Sequence, residues 1–370
     1  MLLKMSRSIS LALCLLTAVP ALAQQAPADD PAPRPRIGLV LSGGGARGLA
    51  HVGVLKVLDE MHVPVDAIAG TSMGAVIGGL YASGMTAAEI EALVRTVDWN
   101  AAFRDRSPRS DLNFRRKQDD RELLVRFPLG LKAGKFRVPR GLIQGQKLTQ
   151  MLRRETISIA GIDDFDRLPT RFRAVATDLE TGDRRVLAGG DLTEALRASM
   201  SAPGVFAPVE LNGRLLVDGG LVENLPVDVA REMGVDIVIA VDVGFQPVGR
   251  RELNSALAVS NQMLTIMMQR ETDRQRKLLV DGDVLIEPPL GTMPSLDFTV
   301  VGQTVMRGAD GARGQAARLA ELSVGEPEWQ RYVAARAAGE SELPEIQFVR
   351  VDAKSRRYRE RIEAELSPVV

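Results

Sequence analysis

The sequence predicts an α/β fold in which helices cover both faces of a central, mostly parallel sheet. From residue 36 to about residue 290, apolar runs typical of buried strands alternate with segments of helical spacing. Strands are expected at residues 37–42, 171–177 and 236–241, and helices at residues 192–201 and 226–233. A chain of 370 residues is long enough for one large core, and no internal repeat is visible.

A hairpin is expected around residue 212. Asn212-Gly213 lies between two apolar runs, and this dipeptide favours a two-residue turn between antiparallel strands. Asp218 ends the second run and is followed by Gly219 and Gly220, which let backbone pass close by. Open α/β sheets bind ligands at strand ends, so Asp218 is a candidate site residue. Taken alone, the pattern favours an ordinary Asp-Gly turn.

Gly70-Thr71-Ser72-Met73-Gly74 is a Gly-x-Ser-x-Gly motif between a strand-like apolar run and a helical run of small residues. This context is typical of a nucleophile elbow, in which the serine lies on a tight turn and Gly70 and Gly74 relieve crowding. The helix start also offers free backbone N–H groups to developing negative charge. The alternative is a small-residue helix start packed against the sheet.

The histidines argue against an ordinary Ser-His-Asp triad. In α/β-hydrolases the histidine follows the serine in the chain. Here His51 and His62 are the only histidines, and both precede Ser72. If Ser72 is a nucleophile, its base is therefore expected to be a carboxylate, and Asp218 is the candidate.

The segment Gly43-Gly44-Gly45-Ala46-Arg47-Gly48 joins an expected strand to an expected helix at residues 49–61. Successive glycines at a helix N-terminus expose N–H groups to an anion, so Gly43, Gly44 and Gly45 are candidate oxyanion donors if they lie near Ser72. Arg47 is a candidate contact for a phosphate or another anion. A solvated arginine at a helix start is the equally supported alternative.

The same loop has a competing interpretation. Gly43, Gly45 and Gly48 also match the G-x-G-x-x-G pattern of dinucleotide-binding folds, with Asp59 and Asp66 near the spacing of the ribose-binding acid. Asp59 falls on the expected helix surface, however, and the next strand leads into Ser72. The sequence contains no G-K-[ST] in this loop, which excludes a P-loop.

Together these motifs resemble the signature of patatin-like phospholipases, as do residues 176–179 and 198–203. The resemblance covers about residues 36–290. It implies a three-layer patatin-like sandwich and a lipid acyl hydrolase with a Ser-Asp dyad and no cofactor. The nucleophile would be Ser72, the base Asp218, and the oxyanion donors the loop from Gly43 to Gly45. Gly48, Gly70, Gly74, Gly219 and Gly220 are the remaining motif glycines.

The first 23 residues read as a secretory signal peptide. Lys4 and Arg7 precede an apolar run at residues 9–19, and Ala21-Leu22-Ala23 provides a cleavage site. The run is short for a membrane span. Residues 24–35 are rich in Pro, Ala and Asp and read as a flexible linker. The expected location is the periplasm, the outer membrane or the extracellular space.

Composition excludes several classes of protein. The only cysteine, Cys14, lies in the signal, so no thiol is expected in the mature chain. With two histidines and no cysteine, a structural zinc site is not expected. The chain has 47 basic and 47 acidic residues, and loss of Lys4 and Arg7 gives a net charge of −2. This balance gives no reason to expect nucleic acid as a partner. The expected partners are a phospholipid or other fatty acyl ester and a membrane surface.

Two segments are candidates for lipid contact. Residues 103–140 are basic with interleaved apolar residues and read either as an insertion covering the site or as a solvated loop with an edge hairpin. Residues 255–280 read as one long helix. Its methionines and leucines could face acyl chains, because methionine adapts to irregular apolar ligands. Core packing is the interpretation that the pattern favours for these residues, namely Leu257, Met263, Leu264, Met267 and Met268.

The catalytic domain is expected to span residues 36–325. Residues 326–370 are expected to hold a helical linker and the start of a POTRA-like repeat, because 345–351 alternate like a strand and 355–366 read as a charged helix. In patatin-type autotransporters such a repeat precedes an outer-membrane barrel, which this chain does not include. The alternative functions are therefore a catalytically weak passenger of an autotransporter and a binding domain that kept the fold.

Overall fold

The structure is a computed structural model. It describes residues 34–103, 130–132, 135–137, 141, 143–244, 247–337, 350–351 and 355–366. Four expected segments lie wholly or mostly outside these residues: the signal peptide, the linker at 24–35, the insertion at 103–140 and the strand at 345–351.

The strands of the described chain confirm the expected alternation. In chain order they are β1 (Ile37–Leu41), β2 (Ala67–Thr71), β3 (Gly130–Lys132), β4 (Lys135–Arg137), β5 (Arg171–Asp178), β6 (Arg184–Leu187), β7 (Val209–Leu211), β8 (Arg214–Asp218), β9 (Ile237–Val241) and β10 (Val284–Ile286).

The α-helices of the described chain are α1 (Ala50–Glu60), α2 (Met73–Ala82), α3 (Ala87–Thr96), α4 (Trp99–Ala102), α5 (Gln146–Glu155), α6 (Leu192–Ser199), α7 (Val227–Glu232), α8 (Ala256–Arg276), α9 (Val301–Arg313), α10 (Ala316–Ala320), α11 (Glu326–Ala337) and α12 (Arg359–Leu366). Short 3₁₀ turns include Gly45–Leu49, directly before α1, and Gly219–Leu221, directly after β8.

One mixed sheet organises the described chain, with strand order β10-β9-β1-β2-β5-β8-β7 and β6 paired to β5. Neighbours from β10 to β5 pair in parallel, whereas β6, β7 and β8 pair antiparallel to their neighbours. The expected mostly parallel sheet is confirmed, and the β7–β8 hairpin forms its antiparallel edge.

Alternate residues of the central strands face two separate hydrophobic layers, as a sheet covered on both faces requires. Leu39 and Leu41 of β1 pack with residues of α1 and α2. Val40, between them, packs on the other side with Val229 and Ala230 of α7. The molecule is therefore a three-layer α/β/α sandwich.

Short sequence patterns determine a helix start and a turn in the structure. Thr86 and Glu89 form the reciprocal capping box that starts α3. Asn212 and Gly213 both have positive φ, 52° and 72°, as the expected hairpin turn requires. Within the described residues, no helix combines the length and apolar character needed to cross a membrane.

Helix α11 packs against α2 and the segment that precedes β2. Arg336 donates to the carbonyls of Tyr81 and Met85 at 2.7 and 3.1 Å, and the Tyr332 hydroxyl lies 3.1 Å from the Val65 amide nitrogen. This helix, which the sequence analysis assigns to a helical linker, is therefore in contact with the part of the chain that holds β2 and α2.

Candidate active site

Ser72 lies at the turn from β2 to α2 with φ 54° and ψ −122°. Residues with a side chain rarely adopt this conformation, and the surrounding structure has to hold it. The flanking glycines allow the turn to fit. A Cβ on Gly74 would collide with the Leu41 carbonyl, and one on Gly70 would lie 2.7 Å from the Gly74 carbonyl oxygen. The geometry is that of the expected nucleophile elbow.

The sheet register brings Asp218 beside Ser72. Thr71, at the end of β2, pairs with Val175 of β5, and the next β5 residue, Ala176, pairs with Asp218. Because β8 runs antiparallel to β5 and stops at this pair, its carboxyl end falls at the same level as the end of β2. The Ser72 hydroxyl donates to Asp218 Oδ2 at 2.7 Å.

The Asp218 carboxylate is held on its other side as well. Its Oδ1 accepts the Gly220 amide at 2.8 Å, which closes the 3₁₀ turn. Asp218 is buried, and this burial raises the pKa of its carboxyl to about 6, although the bonds from Ser72 and Gly220 oppose the rise. The group is thus a stronger base than an exposed aspartate and is still ionised at neutral pH.

Ser199 holds the elbow in place and was not singled out from the sequence. Its hydroxyl accepts the Ser72 amide at 2.9 Å and donates to the Val175 carbonyl at 2.6 Å. This side chain therefore ties the amide of Ser72 to strand β5. The one signal in the sequence was its place in the 198–203 motif, which carried no role.

The glycine loop lies next to Ser72. A Cβ on Gly43 would be 3.1 Å from the Ser72 Cβ. The amide of Gly43 itself donates to the Asn224 carbonyl at 3.1 Å, so it is engaged. The amides of Gly44 and Gly45 donate to no acceptor within the described residues. Of the three expected oxyanion donors, these two are free to serve.

Arg47 has a different position from the one expected of an anion contact. Its guanidinium is buried and donates to four backbone carbonyls, those of Val243, Gly244, Gly291 and Met293, at 2.9 to 3.1 Å. These bonds fasten the glycine loop to the segments that follow β9 and β10. We therefore assign Arg47 to holding the loop rather than to binding an anion.

Neither histidine contacts Ser72 or Asp218. His51 is buried and its Nε2 donates to the Ser42 carbonyl at 2.8 Å; burial lowers the pKa of its imidazole to about 4. The bond to a carbonyl requires a proton on Nε2, so Nδ1 is the acceptor nitrogen of a neutral ring. His62 stacks on Trp329, with ring centroids 5.1 Å apart.

We expect a His51→Gln, His62→Gln double mutant to keep kcat within about threefold, because neither imidazole is placed to move a proton of Ser72. Glutamine at position 51 keeps an N–H donor for the Ser42 carbonyl. Ester hydrolysis, with circular dichroism as the folding control, measures this. Loss of turnover in a well-folded double mutant would restore a histidine as the base.

The dinucleotide interpretation finds no support in the positions of its acids. Asp59 accepts the Tyr81 hydroxyl at 2.7 Å, and Asp66 accepts the Ile37 amide at the amino end of β1. Asp66 therefore lies at the amino end of β1, whereas the glycine loop follows the carboxyl end of that strand. Among the described residues, no group of three His, Cys, Asp or Glu side chains is arranged to hold a metal ion.

Comparisons with known proteins agree with the motifs. A family model described as patatin-like phospholipase matches residues 39–231. An NTE family protein of Mycobacterium tuberculosis is 34% identical over 215 residues, covering 58% of this chain and 51% of that protein. Patatin-like phospholipase domain-containing protein 6 of Homo sapiens is 36% identical over 213 residues, covering 57% of this chain and 13% of that protein. The chain thus spans about half the length of the mycobacterial relative.

Two solved structures of bacterial proteins overlay on most of the chain. VipD from Legionella pneumophila has a TM-score of 0.42 at 15% identity, covering 91% of this chain and 75% of VipD. The effector ExoU of Pseudomonas aeruginosa has a TM-score of 0.37 at 17% identity, covering 90% of this chain and 64% of ExoU.

Proposed function

Because the chain belongs to the patatin-like phospholipase family, we propose that it hydrolyses fatty acyl esters of phospholipids through a Ser72–Asp218 dyad. The observation that carries this proposal is the 2.7 Å hydrogen bond from the Ser72 hydroxyl to Asp218 on a strained elbow. A nucleophile in hydrogen-bond contact with a base is the arrangement that covalent ester hydrolysis needs.

The reaction proceeds in two halves. Asp218 takes the hydroxyl proton as the Ser72 Oγ attacks the ester carbonyl, and the resulting carboxylic acid then protonates the departing alcohol oxygen. A water molecule next attacks the acyl-serine and gives its proton to the Asp218 carboxylate. That proton returns to Oγ as the fatty acid leaves, which restores the free enzyme.

The oxyanion of each tetrahedral intermediate faces the glycine loop in this proposal. The amides of Gly44 and Gly45 serve as the donors, since Gly43 already donates to Asn224. Fixed backbone donors need no reorganisation as charge develops, and removing one such donor typically costs about 10²–10³ in rate. Arg47 supports these donors by holding the loop to its surroundings.

A phospholipid surface as the site of action is supported by the exposed face of α8. Four apolar residues of α8 recur at helical spacing and are 39–62% exposed. We call them the α8 stripe: Val259, Met263, Ile266 and Met267. Met268 of the same helix lies beside Gly220, close to the dyad. The expectation of core packing is therefore wrong for Met263 and Met267. A bilayer that covers the stripe would bring lipid to the dyad.

Replacing Met263 and Met267 with aspartate should weaken binding to phospholipid vesicles by about tenfold or more, because apolar contact would give way to charge at the interface. Hydrolysis of a soluble short-chain ester should change little, since neither side chain contacts the dyad. Vesicle sedimentation and a chromogenic ester assay measure the two effects.

Met306→Asp is the matched control, since Met306 is 57% exposed but lies on α9. It should leave vesicle binding near the wild-type level. Equal losses in both proteins would remove the special role of the α8 stripe.

Hydrolysis of a chromogenic fatty ester by the purified protein tests the proposed function most directly. The rate should exceed that of the Ser72→Ala protein by orders of magnitude. A folded wild-type protein without esterase activity would instead favour a binding domain or a passenger.

Export is also part of the proposal. The charged start, short apolar run and Ala-x-Ala site at residues 21–23 support a secretory signal. A mature N-terminus at Gln24, read by mass spectrometry of protein recovered outside the cytoplasm, is the expected result.

A further inference from the structure

The main chain at Glu223 is bonded to both halves of the proposed active site. The Glu223 carbonyl accepts the Thr71 hydroxyl at 2.9 Å, and Thr71 directly precedes Ser72. The carbonyl of the next residue, Asn224, accepts the amide of Gly43 at 3.1 Å, at the start of the glycine loop. The position of residues 223 and 224 therefore sets how the elbow and the glycine loop lie relative to each other.

The side chain of Glu223 is buried and only half of its carboxyl group has a partner. Its Oε2 accepts a hydrogen bond from Arg184 Nη1 at 2.8 Å, and the same nitrogen donates to Asp228 Oδ1 at 2.9 Å. Glu223 Oε1 accepts no hydrogen bond among the described residues. Buried polar atoms in proteins are nearly always paired, so this second oxygen needs an explanation.

The neighbouring carboxyl group of Asp228 provides that explanation, because the two carboxyl groups lie within hydrogen-bonding reach of each other. Two ionised carboxylates cannot form such a bond, since neither has a hydrogen to donate. A proton on Glu223 lets its carboxyl donate to Asp228. Burial and the charge of Asp228 raise the pKa of Glu223 to about 8, although Arg184 opposes the rise. Glu223 is thus the member of the pair that carries the proton at neutral pH.

The remaining charges around the pair agree with one shared proton. Arg184 also donates to Glu232 Oε1 at 3.1 Å, and Glu232 is exposed. Arg274 of α8 faces the pair as well, but it is exposed and bonded to Glu271 at 2.8 Å. With Glu223 ionised, three carboxylates would share the Arg184 guanidinium. With Glu223 protonated, one uncompensated buried charge is removed, which lowers the cost of burying the group.

We propose that Glu223 and Asp228 share one proton, and that the neutral Glu223 side chain acts as a positioning residue for the elbow and the glycine loop. Its effect on catalysis rests on the proposed function. An anchored side chain keeps the backbone of residues 223 and 224 against both segments. Glutamine has the shape of a protonated glutamate, and it can donate to Asp228 while it accepts from Arg184. Glutamine should therefore replace Glu223, whereas alanine should not.

The pH dependence of unfolding tests the shared proton. Folding raises the pKa of the Glu223 carboxyl from 4.5 to about 8, so its contribution to stability is present below pH 4.5 and is lost as the pH rises through 8. Glu223→Gln has no such proton to lose. The Tm of Glu223→Gln relative to wild type should therefore rise by about 2–4 °C between pH 5 and pH 8. An ionised Glu223 paired with Arg184 predicts the opposite, and a relative Tm that falls over this range overturns the proposal.

Two further variants check that the effect belongs to the pair. Glu232→Gln removes an exposed carboxylate from the same guanidinium, so its Tm relative to wild type should stay level from pH 5 to pH 8. In an Asp228→Asn background the carboxamide can donate to an ionised Glu223, and Glu223→Gln should then no longer raise the Tm. A gain that persists unchanged in this background would show that Asp228 does not share the proton.

Turnover of a soluble ester at pH 7 tests the positioning role. Glu223→Ala should lower kcat by about tenfold or more with little change in KM, because small displacements of catalytic groups slow chemistry while the substrate contacts remain. Glu223→Gln should keep kcat within about twofold of wild type. Circular dichroism at the assay temperature is the folding control. A wild-type kcat in Glu223→Ala, or a Glu223→Gln protein as slow as Glu223→Ala, contradicts the positioning role.

Hydrogen exchange separates a failed positioning role from a failed proposed function. The amide of Gly43, which donates to the Asn224 carbonyl, should exchange faster in Glu223→Ala than in wild type, and at the wild-type rate in Glu223→Gln. This measurement and the Tm series need no turnover, so they test Glu223 even if the protein hydrolyses no ester. Unchanged exchange at Gly43 in a folded Glu223→Ala protein would contradict the positioning role.

Discussion

Ser72→Ala should abolish nearly all esterase activity, by on the order of 10³-fold or more, while the protein stays folded. The reason is chemical, since alanine offers no oxygen to form the acyl-enzyme. The Asp218 carboxylate and the glycine loop would remain, so any residual rate reports their contribution alone. A fluorophosphonate probe should label the wild type and leave the mutant unlabelled.

A second variant separates the chemistry from the strain of the elbow. Ser72→Gly removes the same oxygen but adopts φ 54°, ψ −122° without a Cβ penalty. It should be as inactive as Ser72→Ala and more stable by about 1 kcal/mol, a difference that thermal unfolding can measure. An active Ser72→Ala protein would show that Ser72 is not the nucleophile.

The position of the elbow could be predicted from the sequence because its determinants are local. The glycines flanking Ser72, the strand before it and the small-residue helix after it all lie within a few residues of one another. The hairpin turn at Asn212 is local for the same reason, and it is confirmed.

Contacts between distant segments could not be predicted in the same way. Arg47 was a candidate anion contact because it lies in a glycine-rich turn at the start of a helix. Its actual partners are carbonyls about 200 residues later, at Val243 and Gly244, and further ones at Gly291 and Met293. The role of Ser199 depends in the same way on β2 and β5 lying side by side.

The helix α8 shows a related limit of periodicity. Apolar residues at helical spacing predict which residues share a face but not what covers that face. Core packing was the favoured expectation for Met263 and Met267, yet both side chains are more than half exposed. Their environment depends on where the sheet and its loops place the helix, which the spacing of residues within the helix does not encode.

Asp218→Asn is expected to be nearly inactive, by on the order of 10³-fold, while remaining folded. An amide can still accept the Gly220 amide hydrogen through its oxygen, so the turn after β8 should survive the change. It cannot take the Ser72 proton, however. Labelling of Ser72 by a fluorophosphonate should therefore also be slower than in the wild type. Asparagine is well tolerated in turns, so an aspartate that only shaped the Gly219-Gly220 loop would keep most of its activity when replaced.

The pH dependence of the wild type provides an independent measure of the same carboxyl. Burial raises the pKa of Asp218 to about 6, and only the ionised form can accept a proton. The value of kcat/KM should therefore be constant above this pKa and fall about tenfold per pH unit below it, with a single ionisation.

His51 does not supply this ionisation, since burial lowers the pKa of its imidazole to about 4 and Ser42 rather than Ser72 is its partner. The profile should thus persist unchanged in the His51→Gln, His62→Gln protein and be missing from the residual activity of Asp218→Asn. An Asp218→Asn enzyme with near-normal turnover and the wild-type acid limb would mean that another group is the base.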